Sequence, residues 1–446
     1  MRKVTILHVK EYNPSDPNSY LIYLDANNLY GWAMSQALPE CDFHWVADDD
    51  LEQLNIKDVA SDSDIGYILE VDLEYPQQLH DSHNDYPLAP ESMTITDDML
   101  SHYSKKLREK LCIKGQPVRK LVPNLYDKQK YVLHYRNLQF YLSQGMKLSK
   151  IHRAIQFKQS TWLKPYIDFN TQKRKEAKNE TDKAFFKLAN NSVFGRTMMN
   201  VRKHVNVELV NSSKRLKKLC AKPTFEAFKI FNEDLAAVHL KKTSLYLNQP
   251  VYAGFSILDL SKIVMYDFHY NHIKLKYREK AQLCFTDTDS LCYLIETPNL
   301  YADMAEHRHM FDTSNYDKSH PLYSKTNAKV LAKMKDELGG VPMEEFVGLK
   351  PKLYSLSYKG KEKQTAKGVS KTVIKKQLRH SLYKDCLFDQ KQFRHNMNQI
   401  QSQNHQLHTV SINKISLSPY DDKRFVLKDK IHTLAHGHYK IPSTNV

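Results

Sequence analysis

Leu283-Cys284-Phe285-Thr286-Asp287-Thr288-Asp289-Ser290-Leu291-Cys292-Tyr293-Leu294-Ile295 sets two short apolar, β-prone runs on either side of a polar Thr-Asp-Thr-Asp-Ser tip. The pattern predicts a buried β-hairpin with two carboxylates at its turn. Carboxylates held that close repel by about 4 kcal/mol at ~4 Å for an effective dielectric near ~20. A fold that keeps them together shares a proton between them or places a cation there. Polar turns also carry such pairs: Asp48-Asp49-Asp50 and Asp62-Ser63-Asp64 lie in surroundings that predict solvated turns. What sets the 287–289 tip apart has to come from the rest of the chain.

The 446 residues suffice for one large domain or two to three ordinary ones. Hydrophobic residues at 41% and aromatics at 11% exclude global disorder. A formal net charge of +16 suits a polyanionic partner such as nucleic acid. Six scattered cysteines without a Cys-x-x-Cys pair exclude a zinc ribbon and imply free thiols in a reducing compartment. No apolar run approaches the ~18 residues of a membrane span, and Met1-Arg2-Lys3-Val4-Thr5 opens no signal peptide. The expectation is a soluble intracellular protein with no membrane partner, working at a nuclear or viral replication site in a eukaryotic host and in the cytoplasm otherwise.

Residues 1–18 read as a polar, turn-rich lead-in. Tyr20-Leu21-Ile22-Tyr23-Leu24-Asp25 is apolar throughout, too short for a helix, and ends on a carboxylate; it predicts a central strand buried on both faces. A second strand is expected over Ile65–Leu73, and a mixed, proline-bearing stretch over 74–125. Within it His80-Asp81-Ser82-His83-Asn84-Asp85 has ligand residue types, but a hydrogen-bonded loop explains it better than a metal. Residues 126–144 show helical spacing, and a strand follows over Met146–Phe157.

The longest helical reading runs from Thr171 to Met198, with Phe185, Leu188, Ala189 and Val193 spaced as an apolar stripe. Lys183, Lys187, Asn191 and Gly195 recur every four residues and form one ridge. A basic helix face is ordinarily just solvated, but a glycine on the ridge lets something flat approach the backbone. Residues 200–250 look like an insertion with its own small structure, followed by a helix over Tyr252–Tyr277 that feeds the hairpin. Further expectations are a helix over Thr326–Leu338 and a strand, break, strand over Glu345–Leu356.

Three separated blocks then fall into line. Asp25-Ala26-Asn27-Asn28-Leu29-Tyr30-Gly31 resembles motif A of family-B DNA polymerases, Asp-x-x-Ser-Leu-Tyr-Pro. Lys187-Leu188-Ala189-Asn190-Asn191-Ser192-Val193-Phe194-Gly195 resembles their motif B, and Phe285-Thr286-Asp287-Thr288-Asp289-Ser290 their motif C. Lys352-Leu353-Tyr354 is similar to the Lys-x-Tyr motif that follows. The spacing looks most like the protein-primed branch of small phage, linear plasmids, adenovirus-like viruses and self-synthesising transposons. Thr433–Tyr439 looks like the transposon and virus members.

The resemblance implies an α+β right hand with an antiparallel-sheet palm, helical fingers and a small C-terminal thumb. Its implied divisions are 1–170 (palm with motif A and an insertion at about 76–145), 171–250 (fingers and a second insertion at about 200–250), 251–357 (palm) and 358–446 (thumb). It implies DNA-templated DNA polymerisation from a primer 3′-hydroxyl, with two Mg²⁺ (Mn²⁺ as a substitute) on Asp25, Asp287 and Asp289. Lys187, helped by Lys183 and Lys175, would hold the deoxynucleoside triphosphate; Asn191 and Gly195 would face the nascent base pair; Tyr30 would exclude a 2′-hydroxyl. Ser290, Lys352 and Tyr354 would meet primer-template DNA, and a terminal priming protein is an implied partner.

Asn28 and Gly31 depart from motif A's Ser and Pro, and Phe194 and Phe285 replace tyrosines. With motif A starting at residue 25, no proofreading exonuclease is expected ahead of it. The main alternative is a truncated or inactive virus- or transposon-derived fragment that only binds DNA; a reverse transcriptase, an RNA polymerase and a two-metal nuclease fit the Tyr30 and Asn191 blocks less well.

Overall fold

A computed structural model describes residues 2–3, 17–114, 118–403 and 406–442. Of the lead-in expected over 1–18, residues 1 and 4–16 lie outside them, while Arg2 and Lys3 pair as a short strand with Phe346 and Glu345. Helices and strands are mixed along the whole chain. β1 (Ser19–Ala26) is the apolar run, and α1 (Leu29–Met34) follows it. β2 (Leu38–Trp45), β3 (Ile65–Glu74), β4 (Lys128–His134) and β5 (Lys147–Ser160) form an antiparallel sheet ordered β2–β5–β3–β4, with α2 (Tyr135–Ser143) between the last two strands. Helical spacing over 126–144 therefore misled at its first half. Tyr131, Val132 and Leu133 are paired along β3, where β-branched and aromatic types fit a pleated surface.

The basic helical stretch is two helices, α3 (Lys164–Glu176) and α4 (Glu180–Thr197), rather than one from Thr171. Asn179 breaks it by adopting extended backbone and capping α4, its side chain accepting from Asp182 N at 2.8 Å. Phe185 and Leu188, expected to pack, are 61% and 66% exposed. β6 (Asn206–Val210), α5 (Ser213–Cys220), β7 (Phe225–Asn232) and β8 (Leu235–Leu240) form the expected small unit, a sheet ordered β7–β8–β6 with its own core of Val210, Leu219, Ala236, Val238 and Leu240.

α6 (Val251–Asp267) runs on through a π-helical segment to Tyr277 and joins the larger cores. Ile257 and Leu260 pack with Met34 and Ile167; Tyr266 and Tyr270 join the core under β3 and β4; Met265, Phe268, Ile273 and Tyr277 lie against β1. Gly254 seats the end of α4 on it: an added Cβ would sit 2.4 Å from Thr197 Oγ1 and 2.6 Å from Met198 Sδ.

The opening hairpin is β9 (Ala281–Thr286) and β10 (Ser290–Glu296). With β11 (Phe311–Asp312) and β12 (Met334–Asp336) it completes a sheet ordered β9–β10–β1–β12–β11, so β1 is central. Ile22, Leu24 and Ala26 enter one core with Leu291, Tyr293 and Ile295; Leu21 and Tyr23 enter another with Cys292, Phe346, Tyr354 and Leu356. That two-sided burial is why the strand is apolar at every position. The expected helix over Thr326–Leu338 is instead a series of turns leading into β12, with Lys329 and Ala332 at φ 58° and 61°.

β13 (Glu345–Lys350), β14 (Leu353–Tyr358) and β15 (Lys361–Ala366) cover the second core, α7 (His380–Phe388) backs them, and β16 (Phe393–Gln403) pairs with β17 (Gln406–Leu417) as a two-stranded ribbon. Asp48-Asp49-Asp50 opens a short helix, not a turn, with its carboxylates at the positive end of the dipole. His80 and His83 are buried and hydrogen-bonded to Tyr75. All six cysteines are free, and among the described residues no helix is long and apolar enough to cross a membrane.

Candidate active site

Strand register brings motifs A and C together. Asp25, at the end of β1, pairs directly with Ser290 of β10 on one side and with Lys335 of β12 on the other. Ala26 N donates to Asp289 O at 2.7 Å, closing the turn onto the strand. Within the turn Asp287 N donates to Ser290 O at 3.0 Å and Asp289 N to Asp287 O at 2.7 Å. That last bond spans three residues, and Thr288 in the middle holds φ 62°. A β-branched residue there is a steric outlier costing about 1–3 kcal/mol. The cross-strand pairs on both sides hold the strain, and the tight reversal delivers Asp289 beside Asp25.

Asp289 crowds the Asp25 carboxyl. Burial, then Asp289 and Glu337, push the Asp25 carboxyl up to about 7 against the pull of Lys187 and Lys363. Asp289 is raised by burial and by Asp287, with its own backbone amide, Lys187 and Lys352 opposing. Asp287 is placed differently: Lys352 Nζ lies 2.7 Å from its Oδ1. The aspartates therefore split into a crowded pair, Asp25 with Asp289, and an ion-paired neighbour. Among the described residues no three acidic, His or Cys side chains converge into a ready metal cage. The Asp25–Asp289 pair, hard oxygens whose ionised form is disfavoured as it stands, fits a hard divalent cation better than the three-aspartate set does.

Tyr30 extends from α1 and stacks on Phe194 of α4, ring centroids 4.3 Å apart and planes at 16°. Burial and then Asp289 raise its phenol. Asn28 caps α1 in the left-handed region (φ 43°, ψ 61°), its Oδ1 accepting from Gly31 N at 3.3 Å. A Cβ on Gly31 would lie 2.2 Å from Asn28 Nδ2. The asparagine cap thus occupies the space that a side chain at 31 would need.

α4 carries Lys183, Lys187, Asn191 and Gly195 together, as the four-residue spacing requires. Lys187 is the one whose charge reaches both Asp25 and Asp289. Lys183 Nζ is 2.7 Å from Glu180 Oε1, and Asn191 is exposed. A Cβ at Gly195 would meet nothing within 4 Å, so this end of the ridge is open. Lys175 stands apart from the ridge, on α3.

Lys352 sits at the break between β13 and β14 with φ 62°. Tyr354 is buried at 5% exposure; its ring stacks on Phe285 at 4.3 Å and its hydroxyl lies 3.2 Å from that of Tyr23. Phe285 serves this aromatic stack, which includes Phe346 at 5.4 Å. Sequence reading missed Glu337, Lys363 and Lys335. Lys363 Nζ pairs with Glu337 at 3.2 Å and stands 4.9 Å over the Tyr23 ring, and Glu337 and Lys363 both act on Asp25. No motif spacing marks them; only the pairing of β12 with β1 and the fold of β15 over Tyr23 bring them in.

No family model and no curated protein match the chain. Solved structures of phi29 DNA polymerase align with it. An orthorhombic crystal form does so at TM-score 0.48 and 13% identity, over 93% of this chain and 61% of that one. A ternary complex with primer-template DNA and incoming nucleotide gives TM-score 0.47 and 15% identity over the same shares. A post-translocation binary complex with primer-template DNA gives 0.48 and 15%, over 93% and 60%. The chain spans about 61% of the length of the first of these structures. Likeness of this degree assigns neither fold family nor activity.

Proposed function

We propose that the protein is a DNA-templated DNA polymerase that adds deoxynucleotides to a primer 3′-hydroxyl. The observation that carries the reading is the meeting of Asp25 with Asp289 at one end of the five-stranded sheet, within the field of Lys187. Three blocks distant in sequence supply a carboxylate pair and a facing cation, the pieces that phosphoryl transfer needs for positioning and charge. In this reading the five-stranded sheet is the palm, α3 and α4 are the fingers, and the segment after β15 is the thumb.

Asp25 and Asp289 would hold the Mg²⁺ ions, with Mn²⁺ as a substitute and Asp287 as a neighbour released from Lys352. Bound there, the metals would activate the primer hydroxyl and neutralise the triphosphate. The residues of the chain do the rest. Lys187, with Lys183 and Lys175 behind it, orients the triphosphate; the open edge of α4 at Asn191 and Gly195 receives the new base pair. The Tyr30 ring, pinned by Phe194, closes the space a 2′-hydroxyl would need. Lys352, freed from Asp287, meets the primer end near Ser290, while buried Tyr354 supports the turn through Phe285. Proofreading is no part of this proposal, and priming from a terminal protein's hydroxyl rests on the motif resemblance; nucleotide labelling of such a partner tests it.

Primer extension with purified protein, wild type against Asp289→Ala, is the test. Metal-dependent incorporation by the wild type and its loss in the variant are expected. A wild type that binds primer-template but never extends it would establish the DNA-binding alternative instead. Ribonucleotides used as well as deoxynucleotides would remove the gate role from Tyr30.

A further inference from the structure

The segment 326–336 carries no motif, yet it is built onto the end of β1. Asn27 exchanges backbone hydrogen bonds with it, Asn27 N donating to Lys333 O at 2.9 Å and Ala332 N to Asn27 O at 2.8 Å. Asn27 Nδ2 and Lys329 N both donate to Asp312 Oδ2, at 2.7 and 2.9 Å, and Asp312 is 1% exposed. These ties hold Lys329 and Ala332 in the left-handed region that side chains ordinarily avoid. Two lysines are thereby fixed in place. Lys335 stands directly opposite Asp25, and directly opposed residues project from the same face of a sheet. The Lys329 ammonium reaches the last turn of α3 and donates to Arg174 O at 3.2 Å, where a helix end favours a cation.

The cations around Lys329 have little beside it to balance them. Burial, Arg174, Lys183 and Lys335 all disfavour the Lys329 charge, and Glu180, the offsetting group, is already paired with Lys183. Lys187 and Lys335 make no ion pair among the described residues. Like charges brought together from α3, α4 and the 326–336 segment repel until a multiply charged anion enters among them. The carboxylate pair beside them accounts for one side of the charge only.

We propose that Lys329 and Lys335 form the sheet-side wall of a polyphosphate site, facing Lys183 and Lys187 on α4. That the polyphosphate is the tail of an incoming nucleotide rests on the polymerase reading; that the site takes a linear polyphosphate does not.

Inorganic tripolyphosphate is the probe, titrated calorimetrically into the full chain without DNA. Lys335→Gln and Lys329→Gln are each expected to weaken its binding about tenfold, the scale of one charge-assisted hydrogen bond. Lys150→Gln, opposite Asp72 in the four-stranded sheet, should stay within twofold. In primer extension the same two variants should raise KM for the deoxynucleotide by a similar factor and leave the Kd for primer-template unchanged. Lys329→Arg should restore binding. Lys335 caps no helix, so its variant keeps the test informative if Lys329→Gln misfolds.

A wild type that does not bind tripolyphosphate, or a folded Lys335→Gln that binds it as well as wild type, overturns the proposal. A wild type that binds it but never incorporates nucleotide would end the polymerase reading and leave the anion site standing. Robust incorporation with unchanged KM in both lysine variants would do the reverse.

Discussion

Asp25 and Lys187 act on one another across the same site, but the chain holds them by different means. Asp25 is fixed by strand register: its neighbours Leu24 and Ala26 are 1% exposed, and hydrogen-bonded partners flank it on both sides. Lys187 stands on a helix whose next residue, Leu188, is 66% exposed. The helix packs on α3 through Ala189 and Asn190, and reaches the rest of the protein through Val193, Phe194 and its C-terminal end at Gly254. The sheet wall is preorganised, and it pays in carboxylate repulsion and a strained Thr288. The helix wall is open, and its charge and shape await a ligand. The proposed polymerase activity, with fixed metal-binding oxygens and a new substrate at each step, calls for this division.

The largest effect should come from the sheet wall. Asp25→Asn or Asp289→Ala is expected to lower metal-dependent incorporation by about 10³-fold or more, since each removes a group that acts on developing charge. Stability should move the other way. The folded value of about 7 for Asp25 lies above its ordinary 3.8, so the folded chain binds more protons between those values. Stability without divalent metal therefore falls as pH rises through that window, and Asp25→Asn should remove the fall. Melting curves at pH 4.5 and pH 8 check it; an unchanged pH slope in the variant would contradict the buried, acid-flanked placement of Asp25.

Core substitutions sharpen the same contrast. Leu24→Ala should cost about 2–5 kcal/mol by opening a cavity under the site. Leu188→Ala and Phe185→Ala should stay within about 0.5 kcal/mol, as exposed positions do. Denaturant titration of the three variants is the measurement, and a large loss at Leu188 would mean that α4 packs more tightly than its exposure indicates.

Those exposed residues also show where sequence reading runs out. The strand at Tyr20–Asp25 and the second arm of the 283–295 hairpin were legible because burial on both faces keeps them apolar. The half-buried first arm was legible from its β-prone run and the polar turn that follows. Helical spacing did mislead at Phe185 and Leu188, where an apolar stripe on a real helix has no partner to pack on. It misled again at Lys128–His134, where pairing with β3 overrode the pattern, and over Thr326–Leu338, where ties to Asn27 and Asp312 favour turns. The linear motifs of the site were legible. Glu337, Lys363 and Lys335 were not, because register and sheet packing, not spacing, make them neighbours of Asp25.

On the helix wall Lys187→Ala should cost about 10–100-fold in kcat/KM, the scale of one charged hydrogen bond lost. Lys187 also restrains both carboxyl groups, so its removal should push Asp25 above its value of about 7. The acid limb of the pH–rate profile should then move to higher pH, a shift that loss of nucleotide affinity alone would not produce.

The smallest effect tests the junction of the two walls, where β1 turns into α1 and sends Tyr30 onto Phe194. Gly31→Ala adds a Cβ that would lie 2.2 Å from Asn28 Nδ2, and crowding of this kind costs about 1–3 kcal/mol. The asparagine must leave its cap or the helix must shift. Asn28→Ser alone keeps a capping oxygen but gives up the residue type that tolerates the left-handed backbone at this position, and should cost about 1–2 kcal/mol. Combined, the two changes should cost less than their sum, because the shorter side chain vacates the space that the new methyl needs. A double-mutant cycle by thermal melting reads the coupling directly. Strict additivity would mean that the side chains at 28 and 31 do not compete for one space, and coupling that the cap at Asn28 requires the bare Cα of Gly31 beneath Tyr30.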